Sequence, residues 1–218
     1  MTGELPLRTL SSKLVVVARA SAAADYGAVL DALAEGGIRS VEVTLTTPGT
    51  FDAFASLRAA FGDTLDLGIG TVTTLGQLER AIEVGADYVV TPITSSALVE
   101  RAVDAGIPII PGGLTPTELF ASWSAGASAV KVFPAGQVGP GYLKDLRGPF
   151  PDIAVVPSGG VDADSAAAWL AAGAVAVSVG GPLLGDAFRG GDLGALRDRA
   201  ERFVAVCAGS ERPEGQSA

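Results

Sequence analysis

Short runs rich in β-branched residues alternate along the chain with segments that have the spacing of amphipathic helices. The predicted helices include 25–37, 74–86, 95–106 and 162–174. Several helical segments end in a glycine, because glycine readily adopts the left-handed conformation that ends a helix. The predicted strands are 14–19, 40–45, 65–71, 88–92, 108–112, 129–134, 153–159 and 175–181.

Eight strands, each followed by a helix or a helical connection, predict a closed (β/α)8 barrel, the TIM barrel of the α/β class. An open doubly wound sheet would show the same alternation, but no G-x-G-x-x-G nucleotide loop follows the first strand. No linker divides the chain, so we expect a single barrel domain over residues 1–209. The first dozen residues are expected to form a helical arm, and residues 210–218 a disordered tail.

The overall composition favours a folded protein with a small-molecule partner. Hydrophobic residues make up 48% of the 218 residues, and the net charge is −9. This charge argues against a nucleic-acid or anionic-membrane partner. No segment approaches ~18 unbroken apolar residues, and the start lacks the basic region of a signal peptide. We therefore expect a soluble cytoplasmic protein.

The chain contains no histidine and a single cysteine, Cys207. The absence of histidine removes Ser–His and Cys–His nucleophile pairs and most zinc sites. Cys207 lies in a predicted C-terminal helix, where it is expected to be a small apolar filler and not a nucleophile. Acid–base chemistry falls to carboxylates, lysines, tyrosines, hydroxyls and water, and we expect neither a metal nor a cofactor.

Strand alternation places polar residues inside the predicted barrel. In the second strand, Val41 and Val43 suit the helix layer, so Glu42 and Thr44 point inward. By the same alternation, Lys131 and Phe133 of the sixth strand point inward. Further polar or special residues end other strands near the C-terminal mouth, where barrel enzymes hold their sites: Arg19, Thr71 and Pro92.

An inward lysine and an inward glutamate in one barrel have two interpretations. A buried ion pair between Glu42 and Lys131 is the structural one, although such pairs stabilise poorly compared with apolar residues of similar size. The functional one is Schiff-base chemistry. A desolvated lysine loses its proton more easily and attacks a carbonyl, while the carboxylate moves protons on and off the substrate.

The last two predicted strands each end in a glycine pair, Gly159–Gly160 and Gly180–Gly181. The loops after the seventh and eighth strands are the usual phosphate site of this fold. The two pairs therefore predict a site for phosphate or another anion, although tight turns alone also produce glycine pairs.

The chain contains, in this order, the segments VVVARA, GGIRSVEVTLTTPG, GIGTVTT, VTPI, IPGGLTPTE, VKVFPAGQVGPGYLKDLRGPFP, VPSGGV and VGG. Taken together, these segments resemble the KDPG/KHG aldolases, which are 2-dehydro-3-deoxy-6-phosphogluconate aldolase and 4-hydroxy-2-oxoglutarate aldolase. The likeness covers about residues 10–208. It implies a class I aldolase that cleaves a 2-keto-4-hydroxy acid to pyruvate and an aldehyde, usually as a homotrimer.

The resemblance also implies roles for particular residues. Lys131 would be the Schiff-base lysine and Glu42 the general acid/base. In the mechanism that follows, Thr44 and Thr71 orient Glu42 or the substrate carboxylate, although hydroxyls that line a barrel also serve to satisfy local hydrogen bonds. The pyruvate end would be surrounded by Arg19, Thr71, Pro92 and Phe133. The distal phosphate would lie against Ser158, Gly159, Gly160, Gly180 and Gly181.

The chain departs from the family pattern at two positions. Some members carry an arginine where this chain has Thr46, which leaves Arg19 as the expected clamp for the substrate carboxylate. Members often have a serine in the last glycine turn, whereas Pro182 offers neither a hydroxyl nor an N–H. The second departure weakens the expectation of a phosphorylated substrate.

Three alternatives stay open at the level of sequence. Another phosphate-binding barrel enzyme, an epimerase or a synthase, would share the glycine turns without needing the inward lysine. A non-catalytic barrel would bind a sugar acid and keep the Glu42–Lys131 pair as a relict. A metal-dependent aldolase is the third, and the lack of histidine argues against it.

Overall fold

The computed structural model describes residues 3–209, so the predicted tail at 210–218 lies outside the described residues. The strands are β1 (Leu14–Ala18), β2 (Ser40–Thr44), β3 (Asp66–Gly70), β4 (Tyr88–Val90), β5 (Ile109–Ile110), β6 (Gly112–Gly113), β7 (Val130–Val132), β8 (Val155–Pro157) and β9 (Val177–Val179). The helices are α1 (Leu7–Ser12), α2 (Tyr26–Glu35), α3 (Thr50–Phe61), α4 (Leu75–Glu83), α5 (Ser96–Ala105), α6 (Pro116–Ser124), α7 (Gly141–Arg147), α8 (Ala163–Ala171), α9 (Gly181–Leu184) and α10 (Leu193–Ala208).

These strands form the predicted parallel barrel. One run of paired strands has the order β5-β4-β3-β2-β1-β9, and a second has the order β6-β7-β8. A bridge between Ser158 and Ser178 joins β8 to β9. The strand predicted at 108–112 is interrupted at Pro111 into β5 and β6, because proline lacks the N–H that a ladder needs. The two pieces are successive parts of one barrel strand, which connects the two runs.

Alternation along the strands separates two apolar layers, as expected. The larger layer joins strands to helices and contains the outward residues Val41, Val43, Val130 and Val132. The smaller one fills the lower part of the barrel interior and consists of Leu5, Val15, Tyr88, Val90, Ile110, Ala129, Val156 and Ala176. Above this plug the interior positions become polar.

The N-terminal arm closes the barrel at the amino ends of the strands. Leu5 packs into the interior plug, and α1 follows it. The Thr9 N–H donates to Asp66 Oδ2 at 2.7 Å, and the Thr9 hydroxyl lies 2.8 Å from Ser40 Oγ. Ser40 in turn lies 2.9 Å from the Tyr88 hydroxyl, whose pKa is raised well above its usual range by burial. The predicted arm is therefore confirmed as a helix that is hydrogen-bonded to β2 and β3.

Glycine ends the helices as the sequence predicts. Gly37, Gly85, Gly106, Gly126 and Gly173 all have positive φ between a helix and the next strand. A residue with a Cβ would be strained at positive φ, so glycine at these positions lets the chain turn from each helix into the next strand.

Cys207 has the expected place in α10, fully buried in the helix–strand layer. Burial raises the pKa of its thiol to about 11. The thiol is therefore protonated near neutral pH and packs as a small apolar group. No helix within residues 3–209 is long and apolar enough to cross a membrane.

Gly68 of β3 is an interior position at which any side chain would collide with the barrel plug. A Cβ there would lie 2.2 Å from Tyr88 Cε2, whereas a Cβ on Gly76 of α4 would meet nothing within 4 Å. We expect Gly68→Ala to lower the free energy of unfolding by about 1–3 kcal/mol through overpacking. Urea unfolding followed by circular dichroism measures the change.

Gly76→Ala is the matched control. Because alanine is the better helix former, we expect this change to raise the free energy of unfolding by less than about 1 kcal/mol. Equal stability of the two variants would contradict the close packing of Tyr88 against β3.

Candidate active site

A cavity of about 530 Å³ opens at the carboxyl ends of the strands. All the predicted site residues except Thr44 line it. The predicted residues in its wall are Arg19, Glu42, Thr71, Pro92, Lys131, Phe133, Ser158, Gly159, Gly160, Gly180 and Gly181. Residues from strands on opposite sides of the barrel thus converge on one space, as strand alternation predicts.

The lysine and the glutamate face each other at the base of this cavity. Lys131 Nζ lies 3.8 Å from Glu42 Oε2, and their side chains are 9% and 2% exposed. This distance is too long for a hydrogen bond, and Glu42 Oε2 is a buried oxygen with no hydrogen-bond partner among the described residues. The pair is therefore close enough to exchange a proton through a substrate or a water, and it leaves an acceptor unsatisfied in the cavity.

Gly70 makes room for the glutamate. A Cβ at this position would lie 1.8 Å from Glu42 Oε1, so the carboxylate occupies the space where the neighbouring strand lacks a side chain. The two glycines of β3 thus have separate packing functions, since Gly68 accommodates Tyr88 and Gly70 accommodates Glu42.

Phe133 connects the base of the cavity with the glycine turn after β8. Lys131 Nζ lies 5.4 Å from the centre of its ring, and a Cβ on Gly159 would lie 3.0 Å from its Cε2. The ring is 40% exposed, so one face remains open to the cavity. Phe133 therefore forms an apolar wall between the amine and the turn.

Thr71 has a strained backbone, with φ of 64° directly after β3. Positive φ is an outlier for a β-branched residue and costs about 1–3 kcal/mol, and such strain clusters at functional sites. The G-x-G-T sequence gave no indication of this conformation. The strain places Thr71 in the cavity wall.

The glycine turn after β8 presents backbone donors. Gly159 and Gly160 have φ of 84° and 78°, and neither N–H donates to an acceptor within residues 3–209. The Gly159 carbonyl accepts from the N–H of Gly136, which fixes the turn against the loop after β7. Consecutive backbone N–H groups of this kind suit an anion.

Three further residues, Asp162, Pro182 and Ser158, lie in or next to these turns. Asp162 is the N-cap of α8. Its carboxylate accepts hydrogen bonds from the Ser165 hydroxyl at 2.6 Å and from the Ser165 N–H at 2.8 Å, and these bonds lower its pKa. Pro182 is the second residue of α9, because the helix begins at Gly181. The Ser158 hydroxyl donates to Ser178 Oγ at 3.1 Å.

Thr44 is the one predicted residue that does not reach the cavity wall. It is fully buried, and its hydroxyl lies 3.0 Å from Thr46 Oγ1. Its carbonyl accepts from the Thr50 hydroxyl. These bonds hold Thr44 in the turn between β2 and α3, and its role beside Glu42 or the substrate carboxylate stays a prediction.

Sequence reasoning missed part of the cavity wall. Arg189 and Phe188 line it from a short 3-10 helix, Ala187–Arg189, that lies beyond α9. They belong to neither a strand end nor a glycine pair, so neither pattern could have found them. The remaining unpredicted residues of the wall are Val17, Pro182, Leu184 and Gly185.

The residues present do not suggest a metal centre. No group of three or more His, Cys, Asp or Glu side chains that could hold a metal ion occurs within residues 3–209. Glu42 therefore faces a lysine without a second carboxylate to share a cation.

Comparison with known proteins decides the family. The family model described as KDPG and KHG aldolase matches residues 7–197. The chain belongs to this family. It is an aldolase, a carbon–carbon lyase, and the family match spans nearly every element that lines the cavity.

Individual aldolases are similar over most of their length. The 2-dehydro-3-deoxy-6-phosphogalactonate aldolase of Escherichia coli is 37% identical over 163 residues, covering 74% of this chain and 78% of that protein. The solved native KDPGal structure has a TM-score of 0.82 and 31% identity, covering 88% of this chain and 93% of that one. KDPG aldolase from Legionella pneumophila, solved with pyruvate captured as a covalent carbinolamine, has a TM-score of 0.77 and 27% identity, covering 92% and 95%.

Proposed function

We propose that this aldolase cleaves a 2-keto-4-hydroxy acid by Schiff-base chemistry on Lys131. The substrates are 2-dehydro-3-deoxy-6-phosphogluconate, giving pyruvate and glyceraldehyde 3-phosphate, and/or 4-hydroxy-2-oxoglutarate, giving pyruvate and glyoxylate. The observation that carries the proposal is the approach of Lys131 Nζ and Glu42 Oε2 to 3.8 Å inside the cavity. The names of the matched family supply the substrate class.

The reaction starts at the amine. Neutral Lys131 attacks C2 of the keto acid to give a carbinolamine, and loss of water gives an iminium. The Lys131 side chain is only 9% exposed and faces Glu42 inside the cavity, so the amine meets the substrate away from bulk solvent. The carbinolamine captured in the Legionella pneumophila enzyme supports this order of events.

Glu42 moves the protons. Its carboxylate takes the proton of the C4 hydroxyl, directly or through a water, as the C3–C4 bond breaks and its electrons pass into the iminium to form an enamine. Release of the aldehyde, protonation at C3 and hydrolysis by water then free pyruvate and restore the amine. The unsatisfied Oε2 supports this role, since it is an acceptor without a partner at the required place.

The cavity wall holds the two ends of the substrate. Arg19 makes no ion pair or hydrogen bond within residues 3–209, so its guanidinium is available to clamp the keto-acid carboxylate, with Thr71, Pro92 and Phe133 around it. Gly159 and Gly160 have unused N–H groups for the distal anion, and Ser158, Gly180 and Gly181 complete that wall.

The geometry favours this function over its rivals. A pair kept only for stability would be expected at hydrogen-bond distance with both carboxylate oxygens satisfied, because a buried ion pair offsets its desolvation only with such geometry. The observed pair has neither property. An epimerase or synthase would share the glycine turns but has no use for the buried amine.

The first prediction tests the amine. Lys131→Met is close in volume and removes the nucleophile, so we expect no cleavage and no stable adduct when pyruvate is trapped with borohydride. Intact mass and peptide mapping should place a single adduct of the unaltered chain on the peptide that contains Lys131.

Lys144→Met, which removes an exposed lysine from α7, is the control and should keep both cleavage and trapping. Substantial cleavage by a Lys131→Met protein with an unchanged circular dichroism spectrum would end the Schiff-base proposal.

The second prediction separates the roles of the pair. Glu42→Gln keeps the shape of the side chain but removes the proton acceptor, so turnover should fall about 10²- to 10⁴-fold. Borohydride trapping at high pyruvate should still label Lys131, though more slowly. Full turnover in this variant would move the general base to another group.

We also propose a cytoplasmic homotrimer. Family membership supports the trimer, and exposed apolar side chains on neighbouring β/α units offer an interface, among them Ile93, Phe120 and Val138. Light scattering of the purified protein should give three times the 21.8 kDa of one chain. A monomeric mass across micromolar concentrations would contradict the trimer.

A further inference from the structure

We propose that Arg189 binds the distal anionic group of the substrate and thereby sets the preference for a doubly anionic keto acid. This inference rests on the proposed aldolase function and adds a specificity-determining residue to the same cavity. Arg189 ends the 3-10 helix Ala187–Arg189 and lines the cavity wall together with Phe188. Neither residue belongs to the strand ends or glycine pairs from which the rest of the site was predicted.

The guanidinium of Arg189 forms few hydrogen bonds with the rest of the described chain. Its Nη2 lies 3.4 Å from the Gly185 carbonyl, a long contact, and no carboxylate within residues 3–209 lies within ion-pairing distance of it. Gly185 also lines the cavity, so this contact keeps the guanidinium beside the open space. Most of its five donors are therefore free to receive a ligand.

A nearby arginine shows the contrast. Arg199 Nε donates to the Leu183 carbonyl at 2.7 Å and its Nη2 to the Leu184 carbonyl at 3.1 Å. Arg199 thus satisfies the last carbonyls of α9 and holds the segment from which Arg189 extends. Arg199 therefore stabilises the fold, whereas the guanidinium of Arg189 remains available to a ligand in the cavity.

The adjacent wall supplies backbone groups but few side-chain donors. The glycine pairs have no side chains, Pro182 has neither a hydroxyl nor an N–H, and the Ser158 hydroxyl already donates to Ser178. Arg189 is the charged side chain on this wall, which also contains Gly180 and Gly181. A guanidinium forms two parallel hydrogen bonds with a phosphoryl group or a carboxylate, so it compensates for the donors that Pro182 lacks.

The position of Arg189 beside the last glycine turn assigns it to the distal end of the substrate. The carbonyl carbon must reach the buried Lys131, so the far end of a bound keto acid points toward the mouth. Arg189 and Arg19 are both exposed, but Arg189 contacts Gly185, which follows the turn at Gly180 and Gly181. Arg19 enters from β1 and Arg189 from the segment after β9, which is paired with β1. Two unpaired guanidinium groups beside one cavity fit a substrate with two anionic groups.

The test compares substrates that differ only in the distal anion. Arg189→Met should lower kcat/KM about 10- to 100-fold for 2-dehydro-3-deoxy-6-phosphogluconate, the loss expected for charge-assisted hydrogen bonds. It should change kcat/KM less than about twofold for the unphosphorylated 2-dehydro-3-deoxygluconate, which lacks those bonds. Arg189→Lys, which keeps the charge without the planar fork, should be intermediate.

A loss confined to 4-hydroxy-2-oxoglutarate, whose distal group is a carboxylate, would also support the proposal and identify the anion. Equal losses for charged and uncharged distal groups, or no loss with either anion, would overturn it. Arg202→Met is the control because it removes an equal charge from an exposed residue outside the cavity wall, and it should leave all three substrates unaffected.

Borohydride trapping with pyruvate separates this proposal from the aldolase function. Pyruvate has no distal group, so Arg189→Met should trap it on Lys131 as well as the unaltered protein does. If the Arg189→Met protein traps pyruvate normally and keeps its substrate preference, the proposed role of Arg189 is wrong but the Schiff-base function stands. Failure of trapping in the unaltered protein would defeat the Schiff-base function itself.

Discussion

The structure depends on placing a carboxylate and an amine together inside a closed barrel. Desolvation makes either charge costly, and at 3.8 Å without a hydrogen bond the pair of Glu42 and Lys131 offsets only part of this cost. The neighbouring strand gives up a side chain at Gly70 so that the carboxylate fits. The apolar plug below and the open cavity above then divide the interior into a part that stabilises the fold and a part that holds the chemistry.

Much of this organisation could be predicted from the sequence because it follows local periodicity. Alternation in β2 and β7 gave the inward directions of Glu42 and Lys131, and recurrent glycines gave the helix ends. Closure of the barrel followed from the number of strands. These features depend on backbone geometry, which a short segment of sequence largely determines.

Other features depend on contacts that no single segment contains. The interruption at Pro111 could have been suspected from its missing N–H, but which ladder bond it breaks depends on the neighbouring strands. The strain at Thr71 and the commitment of Thr44 to a turn follow from tertiary packing. Arg189 lies in an irregular segment beyond α9, where neither the helical nor the strand periodicity predicts the direction of a side chain. Only the folded chain shows that it lines the cavity.

The closure of the barrel base by Leu5 and α1 has a consequence for the movement of substrate and products. With the amino end filled, the cavity is a blind tube, and everything that enters leaves by the same opening. In the proposed reaction, the keto-acid half is held covalently on Lys131 at the bottom, and the aldehyde half lies nearer the exit. The proposed reaction then releases its products in order of position: the aldehyde departs first, and pyruvate follows after water has reached the imine through the space that the aldehyde has vacated.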